Sequence, residues 1–83
     1  MSDVPKNVTD LINKDVLEVY ETDTDYYVKL KLEEYYDDSM WRVKKEDKSV
    51  EYVDYTWFLV FVKPADKEHA RKVDPSVFKR AFS

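Results

Sequence analysis

The sequence predicts a small α+β domain. We expect a four-stranded antiparallel sheet, either a meander or partly closed, with a short N-terminal helix and C-terminal helices. The 83 residues can form one hydrophobic core and are too few for two, so residues 1–83 are one domain. Hydrophobic residues make up 43% of the chain, more than a disordered chain carries. Their spacing is helical near both ends and alternates in between.

The predicted N-terminal helix covers residues 8–14. Val8, Leu11 and Ile12 recur at helical spacing, which gives the helix one apolar side. Asn7 is a favourable N-cap, and Asp10 places a carboxylate in the first turn, where the helix dipole favours negative charge. These signals predict a short helix packed against the rest of the domain.

The predicted sheet covers residues 16–63. Its first strand contains Leu17 and Val19 and ends at the polar turn of residues 21–25. The second strand is the most regular, because apolar and mostly polar residues alternate over 26–33. This two-residue period is typical of a strand with one buried and one solvated face.

The third and fourth strands follow at residues 40–45 and 50–63. The turn between them, residues 46–49, is built from residue types that bond their own backbone. Asp54 interrupts the alternation of the fourth strand, which predicts a bulge near Asp54 and Tyr55. Beyond this point residues 57–62 are all apolar, so both faces of the strand need cover.

The sequence does not determine what covers the two faces of this fourth strand. Short connections favour a meander, which would place the strand at an edge of the sheet. Edge strands are normally short, charged or bulged, because an apolar edge recruits other chains. Either the sheet closes or reorders, or the terminal helices bury the second face, or another polypeptide covers it.

The C-terminal part is predicted to be helical over residues 65–82. Pro64 ends the last strand because it has no N–H to donate. The order of acidic and basic residues over 65–72 suits a helix dipole. Asp74 and Pro75 are a favourable N-cap and first position for a second helix, whose apolar stripe consists of Val77, Phe78, Ala81 and Phe82.

The residues that most catalytic and ligand sites need are scarce. Glycine is absent, which removes the glycine-dependent nucleotide loops and the EF-hand loop. Cysteine is absent as well, so there is no disulfide and no thiolate metal site. His69 is the single histidine, which leaves little for a catalytic relay or a metal cluster. We therefore predict no enzymatic activity, no cofactor and no metal.

The sequence also predicts where the protein resides. The longest apolar run is far shorter than the roughly 18 residues that span a bilayer, and the N-terminus is too polar for a signal peptide. We expect a cytoplasmic protein that does not bind membranes. Its charge is uneven, because residues 1–61 carry 15 acidic and 8 basic side chains whereas residues 62–83 carry 3 and 6.

The aromatic residues point to a protein-binding surface. Tyrosine and tryptophan are enriched at interface centres, and this acidic chain has seven tyrosines and two tryptophans. Our first hypothesis is a non-enzymatic adaptor or inhibitor that occupies the surface of a partner, including a nucleic-acid-handling enzyme, or that forms a homodimer. The candidate interface residues are Tyr35, Tyr36, Tyr52, Tyr55, Trp57 and Phe58.

The alternative hypothesis is nucleic-acid binding. Aromatic and basic side chains occur together on the solvated face of the second strand, as on sheets that stack bases and contact phosphates. The candidate contacts are Tyr27, Lys29 and Lys31 on the sheet, with Lys67 and Arg71 in the basic tail. The excess of acids in residues 1–61 makes this alternative the weaker one, since affinity depends on neutralising phosphates.

Overall fold

A computed structural model describes residues 7–13, 16–30, 39–63 and 70–82, which form an antiparallel sheet and three helices. The strands are β1 (Val16–Glu21), β2 (Asp25–Leu30), β3 (Ser39–Lys44), β4 (Val50–Asp54) and β5 (Arg71–Val73), in the order β4-β3-β2-β1-β5. The helices are α1 (Val8–Ile12), α2, which is α-helical over Tyr55–Trp57 and π-helical over Phe58–Val62, and α3 (Pro75–Phe82). The predicted α+β class and antiparallel sheet are confirmed.

The sheet has five strands rather than the predicted four. β1 to β4 are the predicted meander, but residues 71–73 form β5, where the sequence predicted the end of a helix over 65–72. β5 pairs with β1, with Val73 opposite Val19, so that it satisfies backbone groups at the open edge of the meander. Charge order alone had predicted the helix, and pairing with β1 outweighs that weak signal. Residues 64–69 lie outside the described residues.

The fourth strand is also shorter than predicted. It ends at Asp54, and the chain continues as α2 instead of bending at a bulge. The irregularity in strand pairing lies in β1 between Val16 and Glu18. Aromatic and β-branched residues favour a strand at 55–62, but such propensities are weak compared with tertiary packing. A helix here covers the second face of the sheet, which a longer edge strand could not do.

One face of the sheet, the α1/α3 face, is covered by α1 and α3. Leu11 of α1 and Phe78 of α3 are fully buried against it, and the rings of Phe78 and Tyr26 meet edge to face at 5.5 Å. Phe82 of the predicted stripe packs on the same core, whereas Ala81 is exposed. The buried cluster consists of Leu11, Val19, Tyr26, Val28, Leu30, Trp41, Val43 and Phe78.

The opposite face, the α2 face, is covered by α2. Its smaller buried cluster consists of Tyr20, Tyr27, Met40 and Phe58. Three partly buried residues, Val53, Tyr55 and Val62, pack around it. Residues 57–62 were predicted to form a strand that other residues must cover. They belong instead to the helix that covers this face of the sheet.

The helix caps and turns are made without glycine. Asn7 Oδ1 accepts the Asp10 N–H at 3.0 Å, and Asp74 Oδ1 accepts the Ser76 N–H at 2.9 Å, which confirms both predicted N-caps. The bond from the Ser76 backbone lowers the pKa of Asp74. Between β3 and β4, Lys48 has a φ of 61°, in the left-handed region that glycine usually occupies.

Candidate docking surface

The inner side of α2 is a stripe of aromatic and aliphatic side chains. Phe58 is fully buried, and its ring lies 5.0 Å from that of Tyr20 and 5.1 Å from that of Tyr27. Tyr55, one turn earlier, stacks on Phe58 with 6.2 Å between the centroids. Val62 extends the stripe toward the end of the helix. These contacts hold α2 in one orientation on the sheet.

The outer side of α2 is also largely apolar, with Thr56 as its exposed polar residue. Trp57 is 37% exposed, Leu59 38%, Val60 57% and Phe61 63%, and we call these four residues the α2 ridge. The rings of Trp57 and Phe61, four residues apart, are 6.1 Å from each other. Four large apolar side chains exposed within five consecutive residues differ from the scattered exposed apolar residues that are normal on protein surfaces.

The π-helical turn contributes to this exposure. The Lys63 N–H donates to the Phe58 carbonyl at 2.9 Å, a bond across five residues. A turn of π-helix contains more residues than a turn of α-helix, so Phe61 is rotated further from the side that carries Phe58. Val62 still returns to the sheet. Residues 59–61 therefore all face away from the core.

Charged side chains fix the inner aromatic residues of α2 and its sheet. Lys29 Nζ lies 4.9 Å from the ring centroid of Tyr55, and Lys63 Nζ lies 5.6 Å from that of Tyr20. The Tyr20 hydroxyl donates to Glu18 Oε1 at 3.1 Å. Burial, together with the negative charge of Glu18, raises the pKa of Tyr20 to about 12. The basic side chains near α2 thus serve its packing.

Ion pairs join side chains of the sheet and its turns. Arg42 pairs with Glu51, and Lys45 Nζ lies 2.8 Å from Glu21 Oε2. The hydrogen bond from Lys45 is the main cause of the lowered pKa of Glu21. A groove of about 600 Å³ at the turn end of the sheet is lined by both charge signs, from Asp23, Thr24, Asp25, Arg42, Lys44, Lys45 and Glu46. No single charge sign dominates this groove.

The structure distributes the predicted interface residues over several places. Trp57 lies on the α2 ridge, and Tyr55 lies half-buried on the inner side of the helix. Tyr52 is 53% exposed on the edge strand β4, where its ring meets Trp41 at 5.4 Å. Phe58 does not fit the prediction, because it is fully buried and offers no surface to a partner. Two further candidates, Tyr35 and Tyr36, lie outside the described residues.

Leu59, Val60 and Phe61 were missed as surface residues. The signal that could have found them is the helical period over 55–62, which puts Tyr55, Phe58 and Val62 on one side. The segment was interpreted as a strand because its residues have high strand propensity.

The described candidates for nucleic-acid contact, Tyr27, Lys29 and Arg71, do not share one open surface. Tyr27 is only 4% exposed, because Phe58 lies over it, and Lys29 sits against Tyr55. Arg71 is exposed on β5, with 3.8 Å between its Nη2 and Glu21 Oε1. The remaining candidates, Lys31 and Lys67, lie outside the described residues.

Comparison with other proteins adds no relative. The chain matches no family model, no curated protein and no solved structure. Within the ranges that the structure describes, no helix is long and apolar enough to cross a membrane. In the same ranges, no group of three or more histidine, cysteine, aspartate or glutamate side chains is placed to hold a metal ion.

Proposed function

We propose that the protein is a non-enzymatic binding module that occupies the surface of a partner protein with the α2 ridge. The observation that carries this proposal is the exposure of 37% to 63% at four large apolar side chains of one helix, all within residues 57–61. Contiguous exposed apolar patches mark interaction sites. The proposal moves the centre of the predicted interface from Phe58 to its neighbours on the outside of the helix.

The spacing of the ridge residues favours a protein partner. Trp57, Val60 and Phe61 stand at positions i, i+3 and i+4, the spacing with which a helix inserts its apolar side into a groove. Aromatic anchors that fill pockets account for much of the binding energy in such interfaces, with tryptophan prominent among them. A groove that accepts these three side chains would also accept Leu59 at its rim.

Contacts between α2 and the sheet fix the position of the ridge in the absence of a partner. The ring contacts of Phe58 with Tyr20, Tyr27 and Tyr55 hold the helix on the sheet. A preorganised surface loses less conformational entropy on binding, so more of the contact energy appears as affinity. Occupation of a partner's surface needs no further chemistry from this chain.

The charge of the chain supports partners with basic surroundings. The net charge is −4, and opposite charges around an apolar contact raise the rate of encounter. Enzymes that handle nucleic acid present basic surfaces, so such an enzyme is among the partners we propose, with this chain as its inhibitor. The alternative role, direct nucleic-acid binding, has less support because Tyr27 is buried under α2.

A capture experiment with matched variants tests the proposal. Three crosslinking baits are compared. The first is the wild-type chain, and the second is a ridge variant that carries Trp57→Ser and Phe61→Ser. The third is a control that carries Leu17→Ser and Tyr52→Ser. Leu17 and Tyr52 are exposed to 52% and 53%, so the control also removes exposed apolar surface. We expect the wild type and the control to capture the same proteins and the ridge variant to lose them. Equal capture by all three baits, or capture by none, would contradict the proposal.

A further inference from the structure

We propose that the open edge of β4 binds an extended, basic segment of another protein, which adds to the sheet as a strand beside β4. This edge does not include the α2 ridge, so the inference goes beyond the proposed function. It follows from the register of β4, from the difference between the two edges of the sheet and from the charge of residues 46–54.

The backbone of β4 has hydrogen-bonding groups that point away from the sheet. In an antiparallel pair, opposite residues alternate between those that exchange both backbone bonds and those that exchange none. The Lys44 N–H donates to the Ser49 carbonyl at 3.0 Å, which sets this alternation for β3 and β4. Along the register, Glu51 bonds to β3, whereas the N–H and C=O of Val50 and Tyr52 point outward. An added strand pairs with outward groups at this two-residue spacing.

The described residues leave this edge uncovered. No described strand lies beyond β4, and α2 leads away from it. The ring of Phe58 contacts Tyr20 on β1 and Tyr27 on β2, and Lys63 lies over the ring of Tyr20. The helix therefore runs from β4 across the sheet toward β1. Tyr52 on β4 stays 53% exposed.

The two edges of the sheet differ in how strongly they discourage pairing. Edge strands are normally protected by short length, lysine, proline or a bulge. β5 has three residues, and its Arg71 and Lys72 are exposed. β4 has five residues without lysine or proline, and its register with β3 is continuous from Val50 to Asp54. β4 is therefore the edge at which a strand can be added.

The charge around β4 selects the kind of strand. Residues 46–54 contain four acidic side chains and one basic side chain, all exposed: Glu46, Asp47, Glu51, Asp54 and Lys48. Glu51 pairs with Arg42, yet 46% of its side chain remains exposed. Opposite charges on facing strands stabilise the pair, and like charges destabilise it. A strand with lysine or arginine opposite Glu51 and Asp54 fits this edge.

The same charges disfavour a second copy of the chain as the occupant. Two β4 strands paired about a twofold axis would bring the acidic side chains of both edges together. The basic strand β5 of a second copy offers three residues, so it would leave part of β4 unpaired. The edge is therefore assigned to a basic segment of a different protein.

Synthetic peptides test the edge. The probe has capped ends and the core sequence Lys-Thr-Val-Lys-Val, which places its lysines opposite Asp54 and Glu51 when it runs antiparallel to β4. A second peptide has glutamate in place of both lysines. A third carries a methyl group on the nitrogen of the central valine, whose N–H would donate to the Tyr52 carbonyl. Chemical-shift changes in the NMR spectrum of the full chain measure the binding of each peptide.

The lysine peptide should bind, and the glutamate and N-methyl peptides should bind about tenfold more weakly or not at all. Tyr52→Pro removes an outward N–H and leaves the bonds to β3 in place, so it should weaken the lysine peptide by about tenfold. Asp54 makes no side-chain cap bond with α2, and Asp54→Lys should weaken the peptide by about threefold. Leu17→Ser should leave binding unchanged. Denaturation confirms that each variant is folded.

Amide hydrogen exchange checks the register before any peptide is added. The amides of Glu51 and Val53 should be protected in the free chain, whereas those of Val50 and Tyr52 should exchange rapidly. The lysine peptide should slow exchange at Val50 and Tyr52. Protection of these two amides in the free chain would mean that the edge is already covered and would overturn the proposal.

Three further outcomes would overturn the proposal. The lysine peptide could fail to bind at millimolar concentration, or the glutamate peptide could bind equally well, which would remove the basic partner. The N-methyl peptide and the Tyr52→Pro variant could both retain full binding, which would place the peptide elsewhere. Sedimentation could show that the wild type associates and that Tyr52→Pro does not, which would make a second copy the occupant.

These outcomes are independent of the proposed function. The ridge variant with Trp57→Ser and Phe61→Ser should bind the lysine peptide as the wild type does. The control bait of the capture experiment keeps the backbone of β4, because Tyr52→Ser changes only a side chain. Failure of the peptide experiment would therefore leave the α2 ridge as a docking surface, and loss of the ridge would leave the edge.

Discussion

The two faces of the sheet are covered in different ways. Among the described residues, the buried cluster between the sheet and the helices has eight members on the α1/α3 face and four on the α2 face. The outer side of α3 carries Ser76 and Arg80, while the outer side of α2 carries Trp57, Val60 and Phe61. The helices of the first face complete a water-facing surface, and the helix of the second face supplies a core on one side and an apolar surface on the other.

Burial inside the chain therefore explains only part of the apolar content of α2. Phe58 and Val62 are accounted for by the α2 face. The ridge residues are not among those that pack on that core, and clusters of exposed apolar side chains are typical of interaction sites. The following predictions test whether the two faces differ in stability and whether α2 divides into a structural and a binding side.

The largest effect is expected at Phe78 on the α1/α3 face. Phe78→Ala removes a fully buried ring that meets Tyr26 and Phe82 edge to face. We expect a loss of about 4–5 kcal/mol in the free energy of unfolding, because the large cluster cannot close the cavity. Chemical denaturation measures the loss. A change below about 1 kcal/mol would mean that α3 contributes little to the core.

A smaller loss is expected at Phe58 on the α2 face. Phe58→Ala should cost about 3 kcal/mol, because the cluster of four residues can partly collapse into the space. Phe61→Ala on the same helix is the control and should change the free energy of unfolding by less than about 0.5 kcal/mol. Denaturation midpoints of the two variants provide the comparison. Equal losses at both positions would show that α2 has no inner and outer side.

Alkaline pH should weaken the α2 face. The folded chain raises the pKa of Tyr20 from 10.0 to about 12, through burial first and then through the charge of Glu18. A raised pKa stabilises the fold below the unfolded value, and this contribution disappears as the pH rises from about 10 toward 12. The raised pKa of Tyr20 corresponds to a contribution on the order of 2 kcal/mol to the free energy of unfolding.

Tyr20→Phe is the variant that isolates this contribution. The stability of the wild type should fall more steeply above pH 10 than that of the variant, which has no hydroxyl to ionise. Denaturation at several alkaline pH values measures both slopes, and tyrosinate absorbance follows the titration itself. Identical slopes would show that folding does not raise the pKa of Tyr20.

The smallest effect is expected at the cap of α1. Asn7→Ala removes the side-chain oxygen that accepts the Asp10 N–H at 3.0 Å. The loss should be about 1 kcal/mol, and Asn7→Asp should retain most of the stability because aspartate caps equally well. Thermal unfolding of the two variants measures the difference. If alanine and aspartate behaved alike, the cap would not contribute to the α1/α3 face.

Much of the α1/α3 face could be predicted from the sequence. Alternation over Tyr26, Val28 and Leu30 gave β2 and its buried side, and Asn7 and Asp74 gave the starts of two helices. These signals are local, because they depend on the period of the chain and on the chemistry of single caps. Local signals suffice where the residues of an element agree with its tertiary environment.

The α2 face could not be predicted in the same way. The segment 55–62 has the residues of a strand and folds as a helix, because the sheet needs cover on its second side. The pairing of Val73 with Val19 joins residues far apart in the chain, which no local period reveals. The apolar content of segment 55–62 did indicate an unusual surface. That this surface consists of Leu59, Val60 and Phe61 could be recognised only once the segment was known to be a helix.

The reactivity of a single thiol at position 60 measures whether the outer side of α2 is exposed. The chain has no cysteine, so Val60→Cys introduces one reporter. In a strand, residue 60 would share a side with Phe58 and Val62, which face the core; in α2 it faces outward and is 57% exposed. We predict that this thiol reacts in dilute folded protein nearly as fast as in the unfolded chain, while a thiol from Phe58→Cys is protected. Protection at position 60 in dilute protein would contradict the exposed ridge on which the proposed function depends.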